Sequence, residues 1–178
     1  MAVKVLPSVL ARTPRQLRSQ WSLAREFGRV THLDVADATL VASRTVNPQA
    51  LSQLDPNQPV EIHAMTRRPD RWLPVILQLR PRRVILHVEL GVALRPYLAL
   101  FRSHHIPVAL AINPQTSLLK LEPWRRLISG VQVMGVEPGR LGAKWKPRTT
   151  QRIKQLHRLH PRLAITCDGG MTPTTIPA

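Results

Sequence analysis

The stretch VILHVELGVALRPYLALFRSHHIPVALAI, Val84 to Ile112, decides the fold class. It opens on an apolar run of strand length, Val84 to Val88, passes through a segment of helical spacing, Val92 to Arg102, and closes on a second strand-like run, Val108 to Ile112. Strand, helix and strand in that order imply parallel neighbours, which a tight hairpin cannot join and a crossover helix can. Outward from this unit the pattern repeats at similar intervals. Further strands are expected at Val3 to Leu6, Val30 to Leu33, Val60 to Ile62, Val131 to Val136 and Leu163 to Thr166, with helices at Pro14 to Phe27, Pro69 to Leu79, Pro123 to Ile128 and Pro147 to Leu159. Proline suits the first turn of a helix, where its missing N–H costs nothing.

Seven such strands fit a (β/α)8 TIM-type barrel better than an open dinucleotide-binding sheet, which would want a glycine fingerprint after its first strand. That turn reads Pro7-Ser8-Val9-Leu10. A complete barrel takes ~250 residues, and the chain has 178. The expectation is therefore a C-terminally truncated barrel, 1–178 as a single domain, with no eighth strand after Asp168-Gly169-Gly170-Met171 and a turn-like tail from Thr172 to Ala178.

Composition narrows the function classes. Apolar residues make up 43% of the chain, enough for a core, while runs such as Trp72 to Leu79 fall far short of a membrane span. A lone Cys167 cannot close an internal disulfide, and Pro7 interrupts any leader-like N-terminal run. The expectation is a soluble, cytoplasmic protein. Twenty-six Lys and Arg against ten Asp and Glu give a formal charge of +16, a field that favours anionic substrates and keeps nucleic acid in view. The cations run along the whole chain without basic-aromatic interleaving or finger spacing, so a solvated basic surface is the plainer reading. Self-association, as a homo-oligomer, stays open.

Acids are scarce, and half of them, Asp34, Asp37, Glu89, Glu137 and Asp168, sit at or just beyond C-terminal strand ends, the active-site face of a barrel. His32, His63 and His87 each stand two residues before Asp34, Met65 and Glu89. The two-residue period of a strand puts both members of each pair on one face. If that face is the barrel interior, His32, Asp34, His63 and Asp168 converge as two imidazoles and two carboxylates, a set suited to a divalent metal. His87 and Glu89 fit a structural pair under the mouth equally well. His104, His105, His157 and His160 lie among cations and read as surface residues. Six of eight glycines fall late, at Gly130, Gly135, Gly139, Gly142, Gly169 and Gly170. Loops after late barrel strands commonly hold phosphate, though plain turn chemistry explains any one glycine as well.

Six motifs then occur in the order seen in ribulose-phosphate 3-epimerases, and the chain resembles that family from its first strand onward. They are Pro7-Ser8-Val9-Leu10, His32-Leu33-Asp34-Val35-Ala36-Asp37, His63-Ala64-Met65, the Asn-Pro-x-Thr of Asn113 to Thr116, Val133-Met134-Gly135-Val136-Glu137-Pro138-Gly139, and Asp168-Gly169-Gly170. Phospho-ketohexose 3-epimerases look similar here. The resemblance implies one divalent ion (zinc, iron, manganese or cobalt) held by His32, Asp34, His63 and Asp168. It also implies a sugar-phosphate substrate of the pentose phosphate pathway epimerised at C3, with Asp34 and Asp168 as acid and base. Ser8, His63, Met65, Met134, Gly139, Gly142, Gly169 and Gly170 would then line the substrate site. The chain departs from the family's usual pattern in two loops. Asp37-Ala38-Thr39-Leu40 stands for Asp-Gly-His-Phe, with Ala36 in place of a methionine, and Gly139-Arg140-Leu141-Gly142-Ala143 stands for Gly-Phe-Gly-Gly-Gln. Arg140 is expected to compensate electrostatically for the lost phosphate-loop glycine. The family's Gly-Ser phosphate turn after strand eight has no counterpart in this sequence.

Overall fold

A computed structural model describes residues 3–28, 30–139, 142 and 144–172. The strands are β1 (Ser8–Val9), β2 (Thr31–Ala36), β3 (Val60–Met65), β4 (Arg83–His87), β5 (Val108–Ile112), β6 (Gly130–Met134) and β7 (Ala164–Asp168). They form one parallel sheet in sequential order. Helices α1 (Pro14–Phe27), α2 (Pro48–Leu51), α3 (Leu73–Leu79), α4 (Leu94–Ser103) and α5 (Pro147–Leu159) lie between them, with 3₁₀ turns at Pro69–Trp72, Val88–Ala93 and Leu118–Trp124. No helix of the described residues is long and apolar enough to cross a membrane.

The sheet is curled. β3 and β7 are four strands apart, about 19 Å in a flat sheet at the usual strand spacing, yet His63 Nδ1 and Asp168 Oδ2 are 3.5 Å apart. This is the seven-stranded part of a TIM-type barrel. The two faces of the sheet differ in chemistry. Leu33, Val35, Ile62, Ala64, Val84, Leu86, Leu110, Val131 and Val133 point outward and bury against Leu17, Trp21, Ile76, Phe101 and other residues of the surrounding helices. The alternate positions, including His32, Asp34, His63, His87, Gln132 and Asp168, face inward. Outward packing holds the barrel together, and the inner face combines the polar groups with small apolar clusters such as Ile85, Ala109, Ala111 and Met134.

Local sequence explains most elements. Thr13 Oγ1 accepts the N–H of Gln16 and Pro14 opens α1, whose Leu17, Trp21 and Ala24 recur on its buried face. The first strand, however, is not at Val3 to Leu6. The ladder begins at Ser8 opposite His32; in that register Val3 to Leu6 fall before Thr31, where β2 begins. The expected helix at Pro123 to Ile128 is also displaced. Helical turns cover Leu118–Trp124, started by Ser117 Oγ accepting from Leu119 N, because Leu118, Leu121 and Trp124 share the buried side of a three-residue period. The expected tail from Thr172 onward lies, after that residue, outside the described residues.

Candidate active site

The site grows from adjacent inward positions of β2 and β3, whose register sets His32 beside Glu61 and Asp34 beside His63. Asp34 is a branch point: its Oδ1 lies 2.8 Å from His63 Nδ1 and its Oδ2 accepts from Ser8 Oγ at 3.0 Å. His32 is anchored from behind, with Nδ1 2.6 Å from Glu61 Oε1, while Arg83 donates to Glu61 Oε2 at 2.6 Å. β7 brings Asp168 to 3.5 Å from His63 Nδ1, and Gln132 of β6 donates its amide N–H to Asp168 Oδ2 at 3.2 Å.

One ligand atom from each of His32, Asp34, His63 and Asp168 lies within 4.8 Å of the others. The two imidazoles and two carboxylates expected to converge are brought together. Imidazole and carboxylate donors suit borderline divalent metals such as zinc, iron, manganese and cobalt. An independent observation fits the group: His32 Nε2 is buried, 3.4 Å from Asp34 Oδ1, and makes no hydrogen bond. With Nδ1 committed to Glu61, Nε2 is the nitrogen left to bind an ion.

The electrostatics separate the acids. Burial raises the Asp34 carboxyl, but the neighbouring His32 above all outweighs it and holds Asp34 well below the usual range. Burial also raises Asp168, and the charge on Asp34 pushes it the same way, so Asp168 keeps its proton more readily. His32 is opposed by burial yet carried up to about 10 by Asp34 and Glu61.

Beneath this cluster His63 stacks on His87, with Nε2 atoms 2.9 Å apart. His87 Nδ1 faces Glu89 Oε2 at 3.2 Å, so the pair expected under the mouth is present and touches His63 directly. Met65 packs with Ala36 and Val41, and Met134 with Ile85, Ala109 and Ala111; both are buried.

The loops above the sheet partly match the reading of the glycines. Gly139, Gly142, Gly169 and Gly170 all have positive φ. A Cβ on Gly139 would strike Ser43 Oγ, one on Gly169 would strike Val136, and one on Gly170 would come within 2.7 Å of Trp145 N. At these three positions, close packing between loops requires glycine with or without a ligand. The loop after β2 thus leans onto the loop after β6, and together with Asn113 they border an open cleft of about 310 Å³ lined by Leu40, Ser43, Asn113, Glu137 and Gly139. Glu137 pairs with Lys146 at 3.4 Å. Arg140, expected to face phosphate, lies outside the described residues, as do Leu141 and Ala143. Asp37 binds Thr39 and Thr66, fixing the β2 loop. Of the histidines read as surface residues, His104, His105 and His157 are exposed, but His160 is partly buried and ion-paired with Glu122 at 3.0 Å. Helix α5 carries it back against the Leu118–Trp124 turns.

Glu61 and Gln132 did not emerge from the sequence reading. Attention to C-terminal strand ends passed over both, although each stands two residues before a chosen position, Glu61 before His63 and Gln132 before Met134. The same two-residue period would have placed them inward.

A family model described as "Ribulose-phosphate 3 epimerase family" matches residues 4–178. Three relatives called ribulose-phosphate 3-epimerase illustrate the similarity. The protein of Aquifex aeolicus is 27% identical over 153 aligned residues, covering 83% of this chain and 69% of its own length. That of Bacillus subtilis is 26% identical over 183, covering 98% and 84%. That of Escherichia coli K12 is 25% identical over 180, covering 97% and 80%.

Proposed function

The chain belongs to the ribulose-phosphate 3-epimerase family and is an epimerase, and from that premise we propose that it interconverts D-ribulose 5-phosphate and D-xylulose 5-phosphate at C3. The observation that carries the reading is the meeting of Asp34 and Asp168, with opposed protonation preferences, beside two imidazoles. His32, Asp34, His63 and Asp168 would hold a divalent metal ion, which would supply positive charge to stabilise negative charge developing on the substrate oxygens.

The rest is done by side chains of this protein. Asp34, kept ionised, takes the C3 proton from one face, and Asp168, readier to hold a proton, returns one to the opposite face; the reverse reaction exchanges the roles. The carbon is left with inverted configuration and the pair with its proton moved from one carboxyl to the other. Ser8 orients Asp34 and Gln132 orients Asp168 through the hydrogen bonds above. Met65 and Met134 supply apolar walls that exclude water. Gly139, Gly142, Gly169 and Gly170 bound the space for the phosphate, and the +16 charge of the chain draws the anionic sugar in.

The test is a coupled assay with D-ribulose 5-phosphate on metal-supplemented protein, accompanied by uptake of deuterium at C3 from D₂O. Asp34→Asn and Asp168→Asn should each lower kcat by at least ~10²-fold, the usual worth of a positioned acid or base. Near-normal turnover in either variant removes that residue from the mechanism. Turnover only of a ketohexose phosphate moves the substrate assignment to that sugar.

A further inference from the structure

Glu89 stands just beyond the C-terminal end of β4 and is held by three donors. Its Oε1 accepts from Asn113 N at 3.0 Å and Thr116 Oγ1 at 2.5 Å, and its Oε2 faces His87 Nδ1 at 3.2 Å. The turn supplying two of these donors, Asn113 to Thr116, is itself clamped from α5. Arg152 Nη2 donates to the carbonyls of Asn113 and Thr116 at 3.2 and 2.7 Å. A chain of hydrogen bonds therefore runs from α5 through the turn after β5 to Glu89, His87 and His63.

The direction of each bond follows from donor chemistry. A carboxylate only accepts, so the nitrogen of His87 that faces Glu89, Nδ1, carries the hydrogen. His87 is completely buried, and its neutral ring then has a bare Nε2. Across the 2.9 Å contact one nitrogen must donate, and only His63 Nε2 is left to do so. His63 accordingly turns a bare Nδ1 toward Asp34 Oδ1, 2.8 Å away, and Asp168 Oδ2, 3.5 Å away, with the Gln132 amide donating to that nitrogen at 3.2 Å. Acceptors placed so closely repel one another unless a cation lies among them.

We infer that Glu89, acting through His87, is a positioning residue that fixes the tautomer of His63 and so presents its Nδ1 to a metal ion. The inference rests on the reading of His63 as a ligand. Hydrogen-bonded partners behind a ligating histidine commonly set its tautomer and ring orientation; here a second imidazole carries the instruction from a carboxylate one step further away. The same arrangement gives the Asn113–Thr116 turn and the buried Arg152 a function, that of holding Glu89 oriented.

The isosteric variant Glu89→Gln tests this, because its amide cannot accept from all three donors. Turning its NH₂ toward His87 requires a bare Nδ1 there, which reverses both rings and puts a hydrogen on His63 Nδ1. Nitrogen-15 NMR of the histidine rings in metal-free protein should show His87 as the Nδ1–H tautomer in the wild type and as Nε2–H in the variant. Zinc affinity, measured by chelator competition, should fall by roughly 10- to 100-fold, the usual effect of losing such a partner. An Nε2–H tautomer of His87 in the wild type, or an unchanged tautomer and affinity in the variant, overturns the inference. If Glu89→Gln does not fold, His87→Phe takes its place: it keeps a ring but removes the acceptor, and unchanged zinc affinity again overturns the idea. Failure of the wild type to take up zinc would instead sink the ligand assignment, while the NMR result still decides the relay.

Discussion

Glu61→Gln tests the site geometry at a residue outside the four proposed ligands. Glu61 is buried between two donors, His32 Nδ1 and Arg83 Nη2, each 2.6 Å away, and its side chain is 7% exposed. Glutamine has the same shape but one acceptor oxygen in place of two. It can serve His32 or Arg83, leaving its NH₂ against the other donor. Breaking a buried ion pair by removing one partner costs ~3–5 kcal/mol. Arg83, at 15% exposed, can recover some hydration, which places the loss at the lower end. The expected loss is about 3 kcal/mol, or a Tm lowered by about 6–12 °C in a chain of this size.

The pH dependence sharpens the test. Burial disfavours a charged His32, but Asp34 and Glu61 carry its pKa from 6.5 to about 10. A raised folded pKa adds stability that is fully present below 6.5 and is lost as pH rises through about 10. Removing the Glu61 charge lowers the folded value, so the alkaline loss of stability, which starts near 6.5 in both proteins, should be smaller and complete at lower pH in the variant. Urea unfolding of chelator-treated protein at pH 6, 8 and 10 measures both effects. A variant within about 0.5 kcal/mol of wild type at pH 6, the range of a neutral surface change, with an unshifted alkaline limb, would refute the view that Glu61 holds His32 and Arg83 in place.

His63→Ala should mainly weaken metal retention, so that purified protein carries less metal and added metal partly restores turnover; unchanged metal content would remove His63 from the ligand set. Burial alone would raise the Glu89 carboxyl, but its bonds to His87, Thr116 and Asn113 bring it down from 4.5 to about 2. Its contribution is therefore present above 4.5 and lost as pH falls toward 2, by about 2 kcal/mol after allowance for partial exposure. A urea midpoint at pH 3 that is no more sensitive to acid in wild type than in Glu89→Gln would contradict this. Ala38 holds a left-handed φ of 63° where the family's usual loop has glycine. Relief of that strain in Ala38→Gly should raise stability by about 0.5–1 kcal/mol, measured by thermal unfolding, and an equal or lower Tm would show that the loop is not strained.

Much of this protein was legible in the chain because its two periods are clean. Val84 to Ile112 has strand, helix and strand in one short run, and no other economical packing accommodates parallel strands joined in this way. Once the segment is a strand, the spacing of His32 from Asp34 likewise puts both on one face. Where an element depended on a partner, the sequence was silent. Val3 to Leu6 has the composition of a strand, but pairing begins at Ser8 because in its register those residues fall before Thr31, where β2 begins. Leu118 to Trp124 became helical because burial selected its three-residue period over the proline signal at Pro123.

The approach of Asp168 to His63 was likewise decided only in three dimensions, since residues from strands four apart meet through the curl of the sheet. The same is true of the roles of Glu61, Gln132 and Glu89. Each is an ordinary polar residue in sequence, and each acquires its function from the partner that strand register or loop packing sets within about 3 Å. Residue order determines which side chains can face inward. Which of them touch depends on curvature and register, which are collective properties of all seven strands and the helices packed around them.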